Sequence, residues 1–436
     1  MKKIKLRSKE WFDNPKDPGL TALYLERYLN YGLKRKDLQS GKPIIGIAQS
    51  GSDLSPCNRH ILDLSKNIKK GIVNAGGVPM EFPTHPIQET GKRPTAALDR
   101  NLSYLSLVEV LYGYPLDGVV LTTGCDKTTP AALMAAATVN IPSIILSGGP
   151  MLDGHYKGQK AGSGTIIWEA RKLYSKGEID YDQFMDMATA SSPSVGHCNT
   201  MGTASTMNSI AEALGMSLPG CAIIPAPYPE RKKISYKTGQ RIVNMVRENL
   251  TPSKIMTKKA FENAVVVASA IGGSSNATTH LLAIAKHMGI KFDLSNWQKL
   301  GHKIPLLVDC QPAGKYLMEG FYKAGGIPAV MKELIKNKKL NIKVKTVTGK
   351  NLGENLKSKI KVNSKVIKTF KKNLSQNAGF LVLKGNFFNS AIMKTSVISD
   401  EFKKRYLSDR DRPNSFICKA VVFEGPEDYH KRINSK

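Results

Sequence analysis

The sequence has no uninterrupted apolar run of the roughly 20 residues that a bilayer-spanning helix needs. Its longest apolar stretch, which follows Pro130, is broken by Asn140 and Pro142. The N-terminus, MKKIKLRSKEWF, is basic but has no apolar segment behind it, so it does not read as a secretory signal. These two absences predict a cytoplasmic protein with no membrane partner. Acidic residues are scarce: 35 Asp and Glu stand against 64 Lys and Arg, a net charge of +29. Such an excess raises nucleic-acid binding, but the lysines are scattered and lack both an aromatic interleave and a nucleic-acid module. Nucleic acid is therefore set aside, and the basic field is read as favouring a small anionic substrate. Neither a Walker A sequence nor a G-x-G-x-x-G fingerprint follows a strand, so no nucleotide site is expected. The six cysteines form no C-x-x-C pair, which argues against a zinc ribbon or a thioredoxin-type site. In a reducing compartment structural disulfides are not expected either.

What is present is organised around Asp117–Met151. Gly118–Leu121 is a β-branched run suited to a buried strand. The polar loop Thr122–Lys127 follows it. Pro130 suits the first turn of a helix capped by Thr128 or Thr129. Pro142 then precedes a second strand, Ser143–Leu146. Upstream, Pro43–Ala48 and Pro79–Phe82 are strand candidates, separated by an amphipathic helix over Ile61–Ala75 that stops at Gly76-Gly77. Leu98–Tyr112 is another helix. This alternation predicts an α/β fold with a mainly parallel sheet, in which ligands gather outside the carboxyl ends of the strands. Downstream, helices are expected at Tyr181–Ala190, Thr203–Leu214, Thr238–Leu250, Phe261–Ala270 and after Gly272, with a further strand at Lys303–Asp309. Residues 1–40 read as peripheral helices docked through Trp11, Tyr24, Leu25 and Tyr28.

Beyond Lys339 the texture changes. The expected division is an α/β domain over 1–345, a Lys-rich linker over 346–372, and the beginning of a β-rich, barrel-like domain over 373–436. Its strand candidates are GFLVLKG, SAIMKTS and FICKAVVFE.

Cys57 (SDLSPCNRH), Cys125 (TTGCDK) and Cys198 (VGHCNTMG) each sit in a polar loop marked by Gly or Pro. Cys221 and Cys418 read as ordinary buried thiols, with Cys310 between the two groups. Three distant single cysteines carry no metal signature by spacing alone. These loops, with FPTHPIQET, YPLDGVVLTTGCDKTTPA, EALGMSLPG, NAVVVASAIGGSSNATTH and QPAGKYLMEGF, resemble the dihydroxy-acid and sugar-acid dehydratases, the family that includes phosphogluconate dehydratase. The match covers most of residues 10–335. HPIQE and TTGCDKTTPA are closer to the arabinonate and xylonate branch than to the branched-chain amino-acid branch.

The resemblance implies an iron–sulfur cluster, 2Fe–2S in preference to 4Fe–4S, held by Cys57, Cys125 and Cys198. It implies Mg2+ on Glu89, Asp126 and Lys127, the lysine as a carbamate. It also implies a homo-oligomer, dimer or tetramer, and dehydration of a 2,3-dihydroxy sugar acid to a 2-keto-3-deoxy acid. Elementary chemistry agrees. Thiolates suit iron–sulfur iron, three of them leave one iron open to act as a Lewis acid, and carboxylate oxygens suit magnesium. In the family the base is a serine of the C-terminal domain, and a carboxylate of that domain completes the magnesium site. No match to either is found by Lys436, although Asn386 and its LKGN stretch match that domain's opening. The expectation is therefore a truncated or split member. A branched-chain dihydroxy-acid dehydratase and a catalytically silent binding fragment stay open as alternatives. His85, His197 and His280 are candidates to touch substrate, and Ser163, Thr165, Ser274 and Ser275 are lesser ones.

Overall fold

The computed structural model describes residues 5–87, 97–386, 389–411, 415 and 417–433. Its centre is a four-stranded parallel sheet of β1 (Ile44–Gln49), β2 (Val78–Pro83), β3 (Gly118–Thr123) and β4 (Ser143–Ser147), in the order β2-β1-β3-β4. β1, β3 and β4 are buried along their whole length, which is why they read as unbroken apolar runs rather than alternating ones. Beyond the β4 edge, the Ile145 amide donates to Met216 O at 2.9 Å.

Each crossover is a helix. α1 (Ile61–Asn74) joins β1 to β2, α2 (Ala97–Gly113) precedes β3, and α3 (Thr128–Val139) joins β3 to β4. α1 shares one face of the sheet with α5 (Pro229–Arg247), while α2 and α3 cover the other. α1 and α5 approach so closely that an added Cβ at Gly71 would collide with Tyr236 O, and one at Gly239 with Ile68 O. Glycine at both positions lets the two backbones touch. α3 starts at Thr128 with Lys127 in the cap position, not Thr128 or Thr129. The reason is that the Thr128 hydroxyl already bonds Cys125 O at 2.8 Å and accepts from the Gly124 amide, bracing the loop before the helix.

Downstream of residue 200 the chain departs from the alternation the sequence suggests. α4 (Thr203–Ala213), α5, α6 (Lys258–Ala270) and α7 (Asn276–His287) follow with no further strand of the parallel sheet among the described residues. α5 begins nine residues before Thr238, because Pro229 starts it and its first turns are charged, out of reach of an apolar-periodicity signal. Lys303–Asp309 is not a strand. Leu306 and Val308 make single bridges to Ser375 and Ile367, and Leu307 bonds the end of α6. Residues 346–372 lie along this body, with Val347, Leu352, Leu356, Val366 and Ile367 buried. Phe380–Leu383 and Ala391–Lys394 form an antiparallel hairpin, as the strand signals predict. FICKAVVFE does not form a strand over its described residues; no described segment pairs with it, and Ile417, Val421 and Val422 are exposed. Cys418 is exposed rather than buried, Cys221 is buried as expected, and Cys310, which the sequence leaves between the two groups, is buried as well.

The N-terminal helices dock as expected: Trp11 stacks on Tyr24 with ring centroids 4.1 Å apart. The chain before β1 is fastened at the amino end of β3, where Asp117 accepts from the Ser8 amide and hydroxyl and from the Ile44 amide at 2.7–3.1 Å. No helix of the described residues is long and apolar enough to cross a membrane.

Candidate metal and active site at the carboxyl edge of the sheet

The loops leaving β1, β3 and β4 meet at one edge. β1 runs into the loop with Cys57, and β3 into Gly124-Cys125-Asp126-Lys127. The chain after β4 pairs with the segment carrying Cys198, through the Met151 amide to His197 O and the His197 amide to Gly149 O. Two asparagines bind these loops together. Asn58 Oδ1 accepts from the Cys125 amide at 2.9 Å, and glycine is required at 124 because an added Cβ would strike that same oxygen. Asn208, on α4, donates to Gly124 O and His197 Nε2, each at 3.2 Å, and accepts from the hydroxyls of Thr123 and Thr129. His197 Nδ1 lies 3.0 Å from Cys198 O. The ring therefore carries its proton on Nδ1 and accepts at Nε2, because an amide nitrogen can only donate. Burial pushes its pKa down to about 3, despite that carbonyl, so it stays neutral. It is a brace behind Cys198.

The three thiols are linked through Cys57, which bonds Cys125 and lies within electrostatic reach of Cys198. Cys57 is hydrogen-bonded to Cys125, which pulls its pKa below the ordinary thiol value against the effect of burial and of Asp126. Burial raises that of Cys198. Ser163, bonded to it, works in the opposite direction, and Cys57 and Asp126 raise it further. The Cys125 thiol lies 3.6 Å from Asp126 Oδ1. Asp126 and Lys127 are 8% and 5% exposed, with Lys127 Nζ 3.3 Å from Asp126 Oδ2. Two charged groups kept this dry at the end of a buried strand are costly unless they have a task. Glu89 lies outside the described residues.

Of the remaining candidates, His280 lies on α7, close enough to Lys127 to feel its charge, and His85 lies in the chain just after β2. The Arg100 guanidinium is 3.0 Å from His280 Nδ1, and His280 Nε2 is buried with no partner. Burial is the main cause of its pKa falling to about 3, followed by Lys127 and then Arg100. His85 Nε2 is 3.8 Å from Asp99 Oδ1. Thr165 bonds Gln311 at 2.5 Å, and Ser274 bonds Thr203 at 2.9 Å; both are loop fasteners. Asn58, Asn208 and Arg100 escape sequence reading, since their partners lie 67, 84 and 180 positions away.

Among the described residues, no three or more His, Cys, Asp and Glu side chains form a metal site as they stand. A multi-iron cluster is gripped by thiolates set further apart than the ligands of one ion, because bridging sulfides separate its irons. The donor set fits such a group: three thiols, one with a lowered pKa, and beside them the buried Asn58 Nδ2 with no acceptor of its own. An unpaired buried N–H is a suitable donor to cluster sulfur.

Comparison with known proteins bears on this arrangement. The profile of the dihydroxy-acid/6-phosphogluconate dehydratase N-terminal domain matches residues 42–355. The chain is 58% identical over 430 residues to D-xylonate dehydratase of Caulobacter vibrioides, covering 99% of this chain and 72% of that one. It is 43% identical over 433 residues to L-arabinonate dehydratase of Rhizobium leguminosarum bv. trifolii, covering 99% and 72%. To a dihydroxy-acid dehydratase of Caldanaerobacter subterraneus subsp. tengcongensis it is 38% identical over 381 residues, covering 86% and 68%.

Proposed function

The chain belongs to the dihydroxy-acid/6-phosphogluconate dehydratase family, and from that premise we propose that it removes water from a five-carbon 2,3-dihydroxy sugar acid to give a 2-keto-3-deoxy acid. One observation carries this reading: of the thiols from three distant loops, Cys57 bonds Cys125 and acts electrostatically on Cys198, beside a buried Asp–Lys pair at the carboxyl edge of a parallel sheet. The greater similarity to sugar-acid dehydratases than to the branched-chain type supports the choice of substrate class.

In this reading Cys57, Cys125 and Cys198 hold an iron–sulfur cluster of the 2Fe–2S kind, and Glu89, Asp126 and Lys127 hold Mg2+. When bound, these groups supply Lewis acidity at the substrate's C3 hydroxyl and at its carboxylate and C2 oxygen. The chain's own part is to make the pocket rigid and dry. Asn58 and Asn208 fix the loops, and neutral His197 backs Cys198 without placing a positive charge against it. Lys127 as an ammonium would repel a cation. Converted to a carbamate by dissolved carbon dioxide, it becomes an anionic oxygen ligand next to Asp126. The surplus of lysine and arginine draws the anionic substrate toward the site. Residues 1–345 carry these ligands, residues 346–372 connect along that body, and residues 373–436 belong to a second, β-rich domain. The working form is a cytoplasmic homo-oligomer.

Anaerobic purification with cluster reconstitution tests the reading. The expected result is a brown protein with thiolate-to-iron absorption that turns over D-xylonate or L-arabinonate faster than 2,3-dihydroxyisovalerate. A colourless protein without bound iron would refute it, and preference for the branched substrate would move it to the amino-acid branch.

A further inference from the structure

Arg231, on α5, is 0% exposed. A guanidinium is rarely sealed from water unless a carboxylate pairs with it. Among the described residues its hydrogen bonds go instead to two carbonyls and a thiol. Nη1 donates to Ser147 O at 2.5 Å, Nη2 donates to Ile224 O, and the Cys221 sulfur lies 3.7 Å from Nη1. Ser147 ends β4, and Ile224 belongs to a separate segment between α4 and α5. The planar fork of an arginine can bridge two such carbonyls, where the single ammonium of a lysine cannot hold both in a fixed geometry.

What the fork holds is the strip Gly148–Met151 that leaves β4, and this strip bonds the segments of all three candidate cluster cysteines. Gly148 O accepts from Nε2 of His60, three residues after Cys57, at 2.8 Å. The Gly148 amide donates at 2.6 Å to the carbonyl of Thr123, two residues before Cys125. Gly149 O accepts from the amide of His197, which adjoins Cys198, at 3.0 Å, and the Met151 amide donates to His197 O at 2.9 Å. The strip is also tied to the segment of Ile224, through the Ala226 amide to Pro150 O at 2.8 Å. Arg231 presses directly on it: an added Cβ at Gly149, whose φ is +88°, would collide with Ile224 O and with Arg231 Nη2.

We propose that Arg231 is a positioning residue for the iron–sulfur site: by clamping Ser147 to Ile224 it fixes the strip Gly148–Met151, and through that strip the spacing of the segments that carry Cys57, Cys125 and Cys198. The proposal rests on the three-cysteine reading above. Arg231 bonds none of those cysteines itself; it acts on their spacing. A cluster needs its thiolates at one separation, so a strip free to shift weakens binding and distorts the bound group.

The test uses the full 436-residue chain, reconstituted with iron and sulfide, as wild type, Arg231→Met, Arg231→Lys and Asp117→Ala, the last a structural substitution at the opposite end of β3. Chemical denaturation reports stability, competition with a chelator reports iron affinity per folded chain, and the EPR spectrum of the dithionite-reduced cluster reports thiolate geometry. Arg231→Met should hold iron about 10–100-fold more weakly than wild type, with an altered EPR spectrum. Arg231→Lys, which keeps the charge but not the fork, should fall between the two. Asp117→Ala should lose stability while keeping the wild-type affinity and spectrum. Wild-type affinity and spectrum in Arg231→Met would overturn the proposal and leave the three-cysteine reading standing. Equal changes in Asp117→Ala would also overturn it, because the effect would then be general instability. If Arg231→Met gives no folded chain, Arg231→Lys decides by the same two readouts. A wild-type chain that takes up no iron would overturn the three-cysteine reading, and the proposal with it.

Discussion

The two ends of strand β3 each bury an aspartate, and the two are treated oppositely. At the amino end, Asp117 receives two backbone amides and a hydroxyl, all within 3.1 Å, and ties the N-terminal segment and β1 to the strand. At the carboxyl end, the neighbours of Asp126 are themselves reactive: a thiol at 3.6 Å and an amine at 3.3 Å. The amino end is closed by hydrogen bonds within the protein. The carboxyl end leaves the buried Asn58 Nδ2 without an acceptor. A carboxylate closed by backbone amides and one set beside a thiol and an amine thus stand at opposite ends of a single strand.

The sharpest way to break this comparison is to substitute the thiols. Cys57→Ser, Cys125→Ser and Cys198→Ser should each abolish reconstituted iron and the brown colour, while Cys221→Ser, buried elsewhere, should leave both unchanged; iron assay and visible absorption decide. If all four substitutions behave alike, the carboxyl edge is not special. The amino end should show the reverse. Asp117→Ala strands three donors in the interior, so chemical denaturation should report a loss of about 3–5 kcal/mol. Iron bound per folded chain should not change.

The same contrast explains what could be read from the sequence. The strands and helices around β3 were legible because burial on both faces leaves continuous β-branched runs, and because Gly76, Pro130 and Pro142 punctuate them. The cysteine loops were legible as polar stretches at strand ends, and their resemblance to a family joined them. The fasteners were not. Asn58 and Asn208 look like any loop or helix asparagine, since hydrogen bonds spanning 67 and 84 positions leave no local pattern. Lys303–Asp309 misleads for a related reason: its apolar run is buried against α6, with only isolated bridges in place of a ladder. FICKAVVFE has the composition of a strand, but composition cannot supply a neighbour.

Asn208 offers an intermediate case, being structural in its bonds and placed at the working end. Asn208→Leu keeps the volume and orphans His197 Nε2, Gly124 O and two hydroxyls. A stability loss of about 1–3 kcal/mol is expected, together with iron affinity weaker by about 10–100-fold, as for other groups that orient ligands. A loss of stability with iron affinity untouched would mark it as belonging with Asp117 rather than with the site.

Glu212 gives the smallest and most specific test, because it is a second structural carboxylate read through pH. It is buried, accepts from the Gly220 and Ala222 amides at 2.7 and 2.9 Å, and has its pKa raised to about 7 by burial, against the pull of those amides and Arg231. Its folded pKa exceeds its unfolded one. The stability it contributes is therefore full below about pH 4.5, where both states are protonated, and is lost as pH rises through about 7. Glu212→Gln removes that titration but turns one acceptor into a donor facing an amide. The variant should be the less stable chain at pH 5, and the gap should narrow by about 1–3 kcal/mol by pH 8. A gap independent of pH would mean that Glu212 is ionised throughout, held by Arg231 as an ion pair, and that closure by backbone amides is not what keeps the structural carboxylates of this fold in place.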